Sequence, residues 1–559
     1  MRKNYIFICL LSLLIILIPL TDYNENLQAD ENAYYKKVTK GLNYFQKVYE
    51  RVQSHYVEEI DPYEFVKAGI EGMLGTLDPY TVFIEDEADT RLQIITTGKY
   101  GGLGMEIGMR NNQITVISPM DNSPAKKAGI RAGDIISKIN GEEVSSISPD
   151  KISRRLRGPV GTQIEISIKR PGYANEITMT LTRAEIVIED VTFFDFIQPG
   201  IAYVRLTGFT EKAAAELTQA INDLKKRQEI KAFILDLRGN SGGLLESAVE
   251  VAGIFLPKDT PVVSTKGFRD GENTFPTHSD AILPYTPLAV LVDGGSASAS
   301  EIVAGALQDL DRAILIGTQT FGKGLVQKVY NIDKNSSTKV KVTTAKYYIP
   351  SGRCVQKQDY IKNQHLLLSN LTDSTVQGKR VPYYTKNKRM VFEHGGITPD
   401  KIIDQNDFDY IITELWRQSL FFNFAVTYHQ EHPELIGNLE INQQVFNDFI
   451  EYVRNNNFDY QMEGENELNK FSEIAKEKQL GNEIVTRTLE LINMLKMIKE
   501  EEIINNREKI MGILLEELAE KYYGNKERIK YSLRSDKQLY EAIDILLNST
   551  EYKKILAIN

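Results

Sequence analysis

The stretch 287-PLAVLVDGGSASASEIVAGALQDL-310 reads as a strand, a tight turn and a helix in immediate succession. PLAVLVD is almost wholly apolar, as a strand covered on both faces of a parallel sheet must be. Gly294 and Gly295 end it, small hydroxyl residues follow, and SEIVAGALQDL repeats its apolar residues at a helical period. A serine at such a turn has its hydroxyl lifted clear of the sheet, beside the unpaired N–H groups of the helix's first turn. That is where a nucleophile would be placed.

The alternation continues on both sides. Upstream lie the strand IAYVRL (201–206), the helix TEKAAAELTQAINDLKK (210–226), the strand KAFILDL (231–237) and the helix LLESAVEVAGIFL (244–256). Thr210 is the expected cap of the first helix. Downstream, RAILIGTQT (312–320) reads as another strand. Strands alternating with helices predict an α/β core over residues 185–400 with a mostly parallel sheet, whose ligands sit outside the carboxyl ends of the strands.

The rest of the chain has other patterns. Residues 97–184 carry short alternating strands, QITVISPM, DIISKING, QIEISIKR and EITMTLTR, with two short helical pieces, SPAKKAG and PDKISRRLR, between them. They predict a compact β-rich module. Residues 31–95 are expected to be helical, with Asp61-Pro62 starting a helix that stops at Asp78-Pro79. Residues 401–559 are mainly helical and rich in Glu, Lys and Asn, suited to packing, homodimerisation or shielding a site. Residues 357–393 read as a polar insertion. Arg2 and Lys3 precede an apolar run from Tyr5 to Leu20, so residues 1–22 are expected to be an export signal or a single membrane anchor. The basic end favours the remainder lying outside the cytoplasm, in the periplasm or on the outer face of the cytoplasmic membrane.

Of the 559 residues 42% are hydrophobic and 25% charged, ordinary values for a globular chain, and the net charge is −10. That balance argues against a nucleic-acid surface, which needs clustered positive charge. Only two cysteines occur, and Cys9 lies in the apolar run, which leaves Cys354 alone in the folded part. No internal disulfide framework is available there, so stability must come from a large core.

Three glycine-rich turns fall at predicted strand ends: DLRGNSGG (236–243), VDGGSASAS (292–300) and GTQTFGKG (317–324). In a parallel sheet these ends converge on one edge. The third resembles a phosphate-binding loop but has Gly324 where magnesium coordination wants Ser or Thr, and the next segment, LVQKVYNI, reads as a strand. Lys323 lies between glycines beside Phe321 and Leu325. It is either a solvated turn lysine or a desolvated amine able to take a proton from a serine. None of the six histidines falls in a strand-end turn, and no HExxH or Cys/His cluster exists, so neither a metal nor a cofactor is expected. Gly242 and Gly243 can offer backbone N–H groups to an oxyanion, with the amide of Ala299 as second donor.

These turns, together with DPYTVFI (78–84), YGGLGMEIG, SPAKKAGIRAGDIISKINGE and TTAKYYIPSGRCVQ, resemble the carboxyl-terminal processing (tail-specific) serine proteases of the S41 type. The likeness spans roughly residues 40–400. It implies a PDZ domain over 97–184 whose carboxylate-binding loop includes Gly102, Leu103 and Gly104. It implies Ser298 as nucleophile, Lys323 as general base and Gln327 as the residue that orients the lysine, with the NSGG glycines and Ala299 at the oxyanion. The expected partners are proteins or peptides with accessible C-termini. Asp293 stands where Asn is common in the family, and Cys354 where a small non-thiol residue is usual. A binding scaffold that keeps the fold without turnover is the alternative reading.

Overall fold

The computed structural model describes residues 34–145, 147–333, 338–357, 360, 381–393, 395–404, 409–434, 439 and 442–558. The expected signal or anchor at 1–22 and most of the polar insertion lie outside these residues.

Residues 34–77 form a unit of their own. It holds a helix over 34–55 and a second from Pro62 to Gly75. Asp61 caps the second, its carboxylate accepting from the amides of Tyr63 and Glu64 at 2.8 and 3.1 Å. Tyr49 stacks on Phe65 between the two helices.

The remainder is built on a six-stranded sheet: β1 (Val191–Gln198), β2 (Ile201–Leu206), β3 (Ala232–Asp236), β4 (Leu288–Val292), β5 (Ile314–Gly317) and β6 (Lys401–Ile402). The strands lie side by side in that order. β1 and β2 are antiparallel, and every later pair is parallel. Residues two apart along a strand share a face, which gives the sheet two cores. Val204, Leu235, Val290 and Leu315 face helices α1 (Ala213–Arg227), α2 (Leu245–Gly253) and α3 (Ala299–Asp309). Tyr203, Ile234, Leu291 and Ile316 face Leu539, Ala542, Ile543 and Leu546 from the end of the chain. The region expected as one helical unit, 401–559, thus divides in its packing. Helices between Tyr410 and Tyr523 share a separate core around Phe421, Phe449 and Leu514. The helices after Gly524 roof the open face of the sheet, where Arg238 pairs with Asp536 at 2.6 Å.

Thr210 does not cap α1. Its hydroxyl donates to the Asp190 carboxylate at 2.5 Å and accepts from the Lys212 amide at 3.2 Å, and the helix starts only at Ala213. A second sheet joins Val82–Ile84, Pro261–Gly267, Gly271–Pro276 and Leu325–Asn331 around the strand Lys339–Tyr348. The described part of the insertion is a hairpin, Pro382–Tyr384 with Met390–Phe392, followed closely in space by an ion pair from Arg389 to Asp311 at 2.6 Å.

The β-rich module is an antiparallel sheet running from Met105–Arg110 through Gln113–Pro119, Ile135–Ile139 and Gln163–Lys169 to Ile177–Thr182. Helices Pro124–Lys127 and Pro149–Leu156 complete it. Its core holds Val116, Ile136, Ile152 and Ile166. Arg170 and Asp134, both buried, form a two-pronged ion pair at 2.7 and 2.8 Å.

Candidate active site

The three glycine-rich turns follow the C-terminal ends of β3, β4 and β5, and hydrogen bonds tie them to one another. The Asp293 carboxylate accepts from the amides of Gly239 and Gly295 at 2.9 Å and of Ser296 at 3.1 Å, which binds the first turn to the second. One acceptor oxygen does all of this, so the residue does what an Asn carbonyl could do here. Ser296 and Ser300 are fully buried, and their hydroxyls donate to the carbonyls of Leu237 and Asn240, both at 2.8 Å. Ser298 alone of the three hydroxyls in SASAS is part-exposed. It sits at φ 56°, a backbone position that a non-glycine residue holds only under constraint, immediately before α3.

Glu301, fully buried in the first turn of α3, joins the second turn to the third. One carboxylate oxygen accepts from the Thr320 hydroxyl at 2.6 Å and the Gly322 amide at 2.8 Å. The other accepts from the Ser298 amide at 2.9 Å and the Lys323 amide at 2.8 Å. Burial pushes this carboxyl up, and the donors oppose the rise. Tyr347, on the strand Lys339–Tyr348, places its buried hydroxyl within reach of the carbonyls of Ser298, at 3.1 Å, and of Lys323. The backbones of residues 298 and 323 are therefore held from both their N–H and their C=O sides.

The Lys323 amine lies over the ring of Tyr80, 4.7 Å from its centroid. Burial holds its pKa below the ordinary lysine range, helped by the like charge of Lys341 and opposed by Glu301 and Asp78. Tyr80 is fixed in turn by Asp78, whose carboxylate accepts from the amides of Tyr80 and Thr81 at 2.8 Å. Among the described residues no hydrogen bond joins the amine to the Ser298 hydroxyl. Gln327 lies on Leu325–Asn331, where its amide donates to the Thr343 hydroxyl at 3.4 Å rather than reaching Lys323. The loop that resembled a phosphate site leads into this strand, not into a helix.

Gly242 packs on the Ser298–Ala299 peptide. A Cβ there would come within 2.8 Å of the Ser298 Cβ and 2.9 Å of the Ala299 nitrogen. Its own amide donates to the Asn240 side-chain carbonyl at 2.9 Å, so it is occupied. Among the described residues no acceptor meets the amides of Gly243 and Ala299, so both can donate to a ligand. Gly242→Ala is expected to lower kcat by at least about 10²-fold, the cost of disturbing one oxyanion donor. Its φ of 98° adds strain. Steady-state peptide hydrolysis with circular dichroism checks this; wild-type kcat in the folded variant would remove Gly242 from the site.

In the β-rich module Gly102 and Leu103 are buried and Gly104 turns at φ 69°. The carbonyls of Leu103 and Gly104 accept from Ala125 and Met120 at 2.9 Å, which directs them into the module. Among the described residues the amides of Leu103 and Gly104 meet no acceptor, whereas Gly102 ends a strand paired with Ala184–Val187. Arg157 lies over the ring of Tyr100, 5.1 Å away, behind this loop.

Glu301, Tyr347, Asn240 and Tyr80 were not singled out from the sequence. Each lies in or beside a motif, but nothing in a single chain marks a packed polar residue as a tie between turns.

Comparison with known proteins gives the family. Residues 200–366 match the model of peptidase family S41, 115–170 a PDZ domain, 411–546 the C-terminal helical domain of probable PDZ-proteases, and 19–88 the N-terminal domain of the activating protease CtpB. A carboxy-terminal-processing protease of Bartonella bacilliformis is 40% identical over 349 residues, 62% of this chain and 77% of the relative. Carboxy-terminal processing protease CtpB of Bacillus subtilis is 33% identical over 326 residues, 57% of this chain and 66% of the relative. The solved photosystem II D1 C-terminal processing protease is 28% identical, with a TM-score of 0.36, covering 65% of this chain and 92% of that one. With a PDZ module beside an α/β core whose part-exposed serine sits at a strand end, the chain belongs to the carboxy-terminal processing serine proteases of peptidase family S41.

Proposed function

We propose that this peptidase captures the carboxyl end of a protein or flexible peptide in its PDZ domain and cleaves it by a Ser298–Lys323 dyad through an acyl-enzyme. The observation that supports the reading most is Glu301, one buried carboxylate bonded to the amides of both proposed partners. In the PDZ domain the amides of Gly102, Leu103 and Gly104 would receive the substrate carboxylate, a backbone nest suited to an anion.

The neutral Lys323 amine takes the proton of the Ser298 hydroxyl as Oγ bonds to the scissile carbonyl carbon. The carbonyl π electrons move to oxygen, and the amides of Gly243 and Ala299 hold the resulting oxyanion. As the oxyanion collapses, the C–N bond breaks and Lys323 returns the proton to the leaving amine. Water then attacks the ester, Lys323 accepts its proton, and Ser298 Oγ leaves as the hydroxyl. The amine must leave the Tyr80 ring to reach Ser298, and Gln327 must leave Thr343 to orient it, so the arrangement described is a resting one that substrate binding would convert. Export to the periplasm or the outer face of the cytoplasmic membrane fits the apolar N-terminal run.

An unfolded substrate with a free C-terminus and its amidated twin test both halves of the reading. Acid-quenched intact-mass spectrometry should show an acyl adduct, which peptide mapping at low pH should place on the peptide bearing Ser298, and the amidated twin should be cut at least about tenfold more slowly at sub-saturating concentration. An adduct on another residue removes the dyad, and equal rates remove tail capture.

A further inference from the structure

The Lys323 amine and the Gln327 amide both stand apart from Ser298, and the contacts that keep them there lead back to the same carboxylate. Asp78 is buried in the turn that precedes Val82–Ile84. Its Oδ1 accepts from the amides of Tyr80 and Thr81, both at 2.8 Å, and from the Thr343 hydroxyl at 3.2 Å. Its Oδ2 accepts from the Thr81 hydroxyl at 2.9 Å. The Thr81 hydroxyl accepts in turn from the Thr343 amide at 3.1 Å. Strand pairing continues the attachment, with Val82 opposite Lys341. Residues 78–81 are thereby clasped to the strand Lys339–Tyr348.

The carboxylate fixes the direction of every bond in the clasp, because it only accepts. Each threonine hydroxyl has one proton and gives it to Asp78. Thr343 can then only accept from its other partner, which is the Gln327 amide at 3.4 Å. Gln327 is held with its NH₂ turned to that strand. On the other side, the amides bound to Asp78 set the backbone of Tyr80, whose ring carries the Lys323 amine 4.7 Å from its centroid. Tyr360 meets the same ring edge-on, with centroids 6.2 Å apart. The Asp78 charge also attracts the ammonium groups of Lys323 and Lys341.

We propose that the Asp78–Thr81–Thr343 clasp is a brake: Asp78 and Thr343 are positioning residues that store the Lys323 amine on Tyr80 and the Gln327 amide on Thr343 until residues 78–81 shift. The proposal rests on the Ser298–Lys323 reading above. It differs from plain structural support in the sign of its effect. A support raises activity by being intact, whereas a brake lowers it. One hydrogen bond of typical net strength biases a two-state equilibrium by about fivefold, so opening the clasp should enrich the competent arrangement by about that factor.

The test uses the full chain and the amidated peptide, whose hydrolysis does not draw on tail capture. Thr343→Val keeps the branched shape that suits a strand but neither donates to Asp78 nor accepts from Gln327. It is expected to raise kcat/KM for this peptide at least about fivefold, a gain that damage to the fold would not produce. Thr343→Ser keeps the hydroxyl and should stay at the wild-type rate. The second readout is independent of turnover. Labelling of Lys323 by trinitrobenzenesulfonate, followed by peptide mapping at fixed pH, should be faster in Thr343→Val by about the same factor, since the amine spends more time off the ring. Adding Lys323→Met to Thr343→Val should abolish the gained hydrolysis. If the gained rate survives that addition, the dyad falls and the brake with it. If Lys323→Met is inactive but a folded Thr343→Val is no faster than wild type, in hydrolysis or in labelling, the dyad stands and the clasp is structural support alone.

Discussion

Lys323→Met is expected to lower kcat by roughly 10⁴-fold or more while leaving the melting temperature unchanged or raised. The loss follows if Lys323 is the proposed general base of a serine nucleophile, whose hydroxyl is otherwise too weak. The stability follows from burial: the amine is desolvated, lies near Lys341, and is only partly compensated by Glu301 and Asp78. A thioether of similar length fills the place over the Tyr80 ring without that cost. The double variant Ser298→Ala with Lys323→Met should be no slower than the worse single one, since the two act as a unit. The pH dependence has a defined sign. Protonated Lys323 is inactive, so kcat/KM rises as pH passes through its folded pKa, which lies below the ordinary lysine range. In the window between that value and the ordinary one the folded chain binds fewer protons than the unfolded chain. The penalty of burying the charged Lys323 is therefore full below the window and relieved as pH rises across it, so Lys323→Met gains most at low pH and removes this pH dependence. Steady-state kinetics and thermal melts over one pH series measure both. A flat rate profile with chemistry limiting, or a variant that keeps full proteolysis, would falsify the assignment.

Different parts of this molecule were legible in its sequence to different degrees, for physical reasons. Strands β2 to β5 are buried on both faces, so they appear as unbroken apolar runs, and the turns after three of them carry the glycines that close backbone contact requires. That made the parallel sheet and the gathering of three glycine turns at its strand ends readable, whereas Ser298 was chosen from its neighbours by resemblance. Thr210 was misread because a threonine before a helix looks like a cap, whereas a buried aspartate twenty residues away competes for its hydroxyl. The second cover of the sheet was not readable. Leu539, Ala542 and Ile543 have an amphipathic helix's pattern, which states that a face is covered but not by which partner. Asp293 departs from the family pattern, where Asn is common, and the structure gives the reason this is tolerated: the three amides it meets need only one oxygen. Gln327 and Lys323 could be assigned by resemblance, yet the contacts each makes here, Thr343 and the Tyr80 ring, depend on strands from distant parts of the chain.

Glu301→Gln is the substitution by which positioning can be told from simple structural support. All four groups at this carboxylate are donors: three backbone N–H groups and the Thr320 hydroxyl. A carboxylate only accepts, but an amide of the same shape turns a donating NH₂ toward two of them. Each buried donor left unsatisfied costs about 1–3 kcal/mol, so the variant is expected to lose about 2–6 kcal/mol of stability. The larger effect is on turnover. Ser298 and Lys323 each lose a tether, and a shift of about 1 Å between reacting groups costs roughly 10²-fold, so kcat should fall by about 10²–10³-fold with KM little changed. Removing the charge has a second consequence. Glu301 raises the Lys323 pKa, so the rising limb of kcat/KM should move to lower pH in Glu301→Gln even as the maximum falls. General loosening of the fold would instead expose the amine to water and move the limb upward. Glu301→Asp keeps the charge but is too short to reach both turns, so it should lose turnover without the downward shift. If Glu301→Gln keeps the wild-type limb and wild-type kcat, the carboxylate is a packing element alone, and the coupling of the two turns must rest on Tyr347.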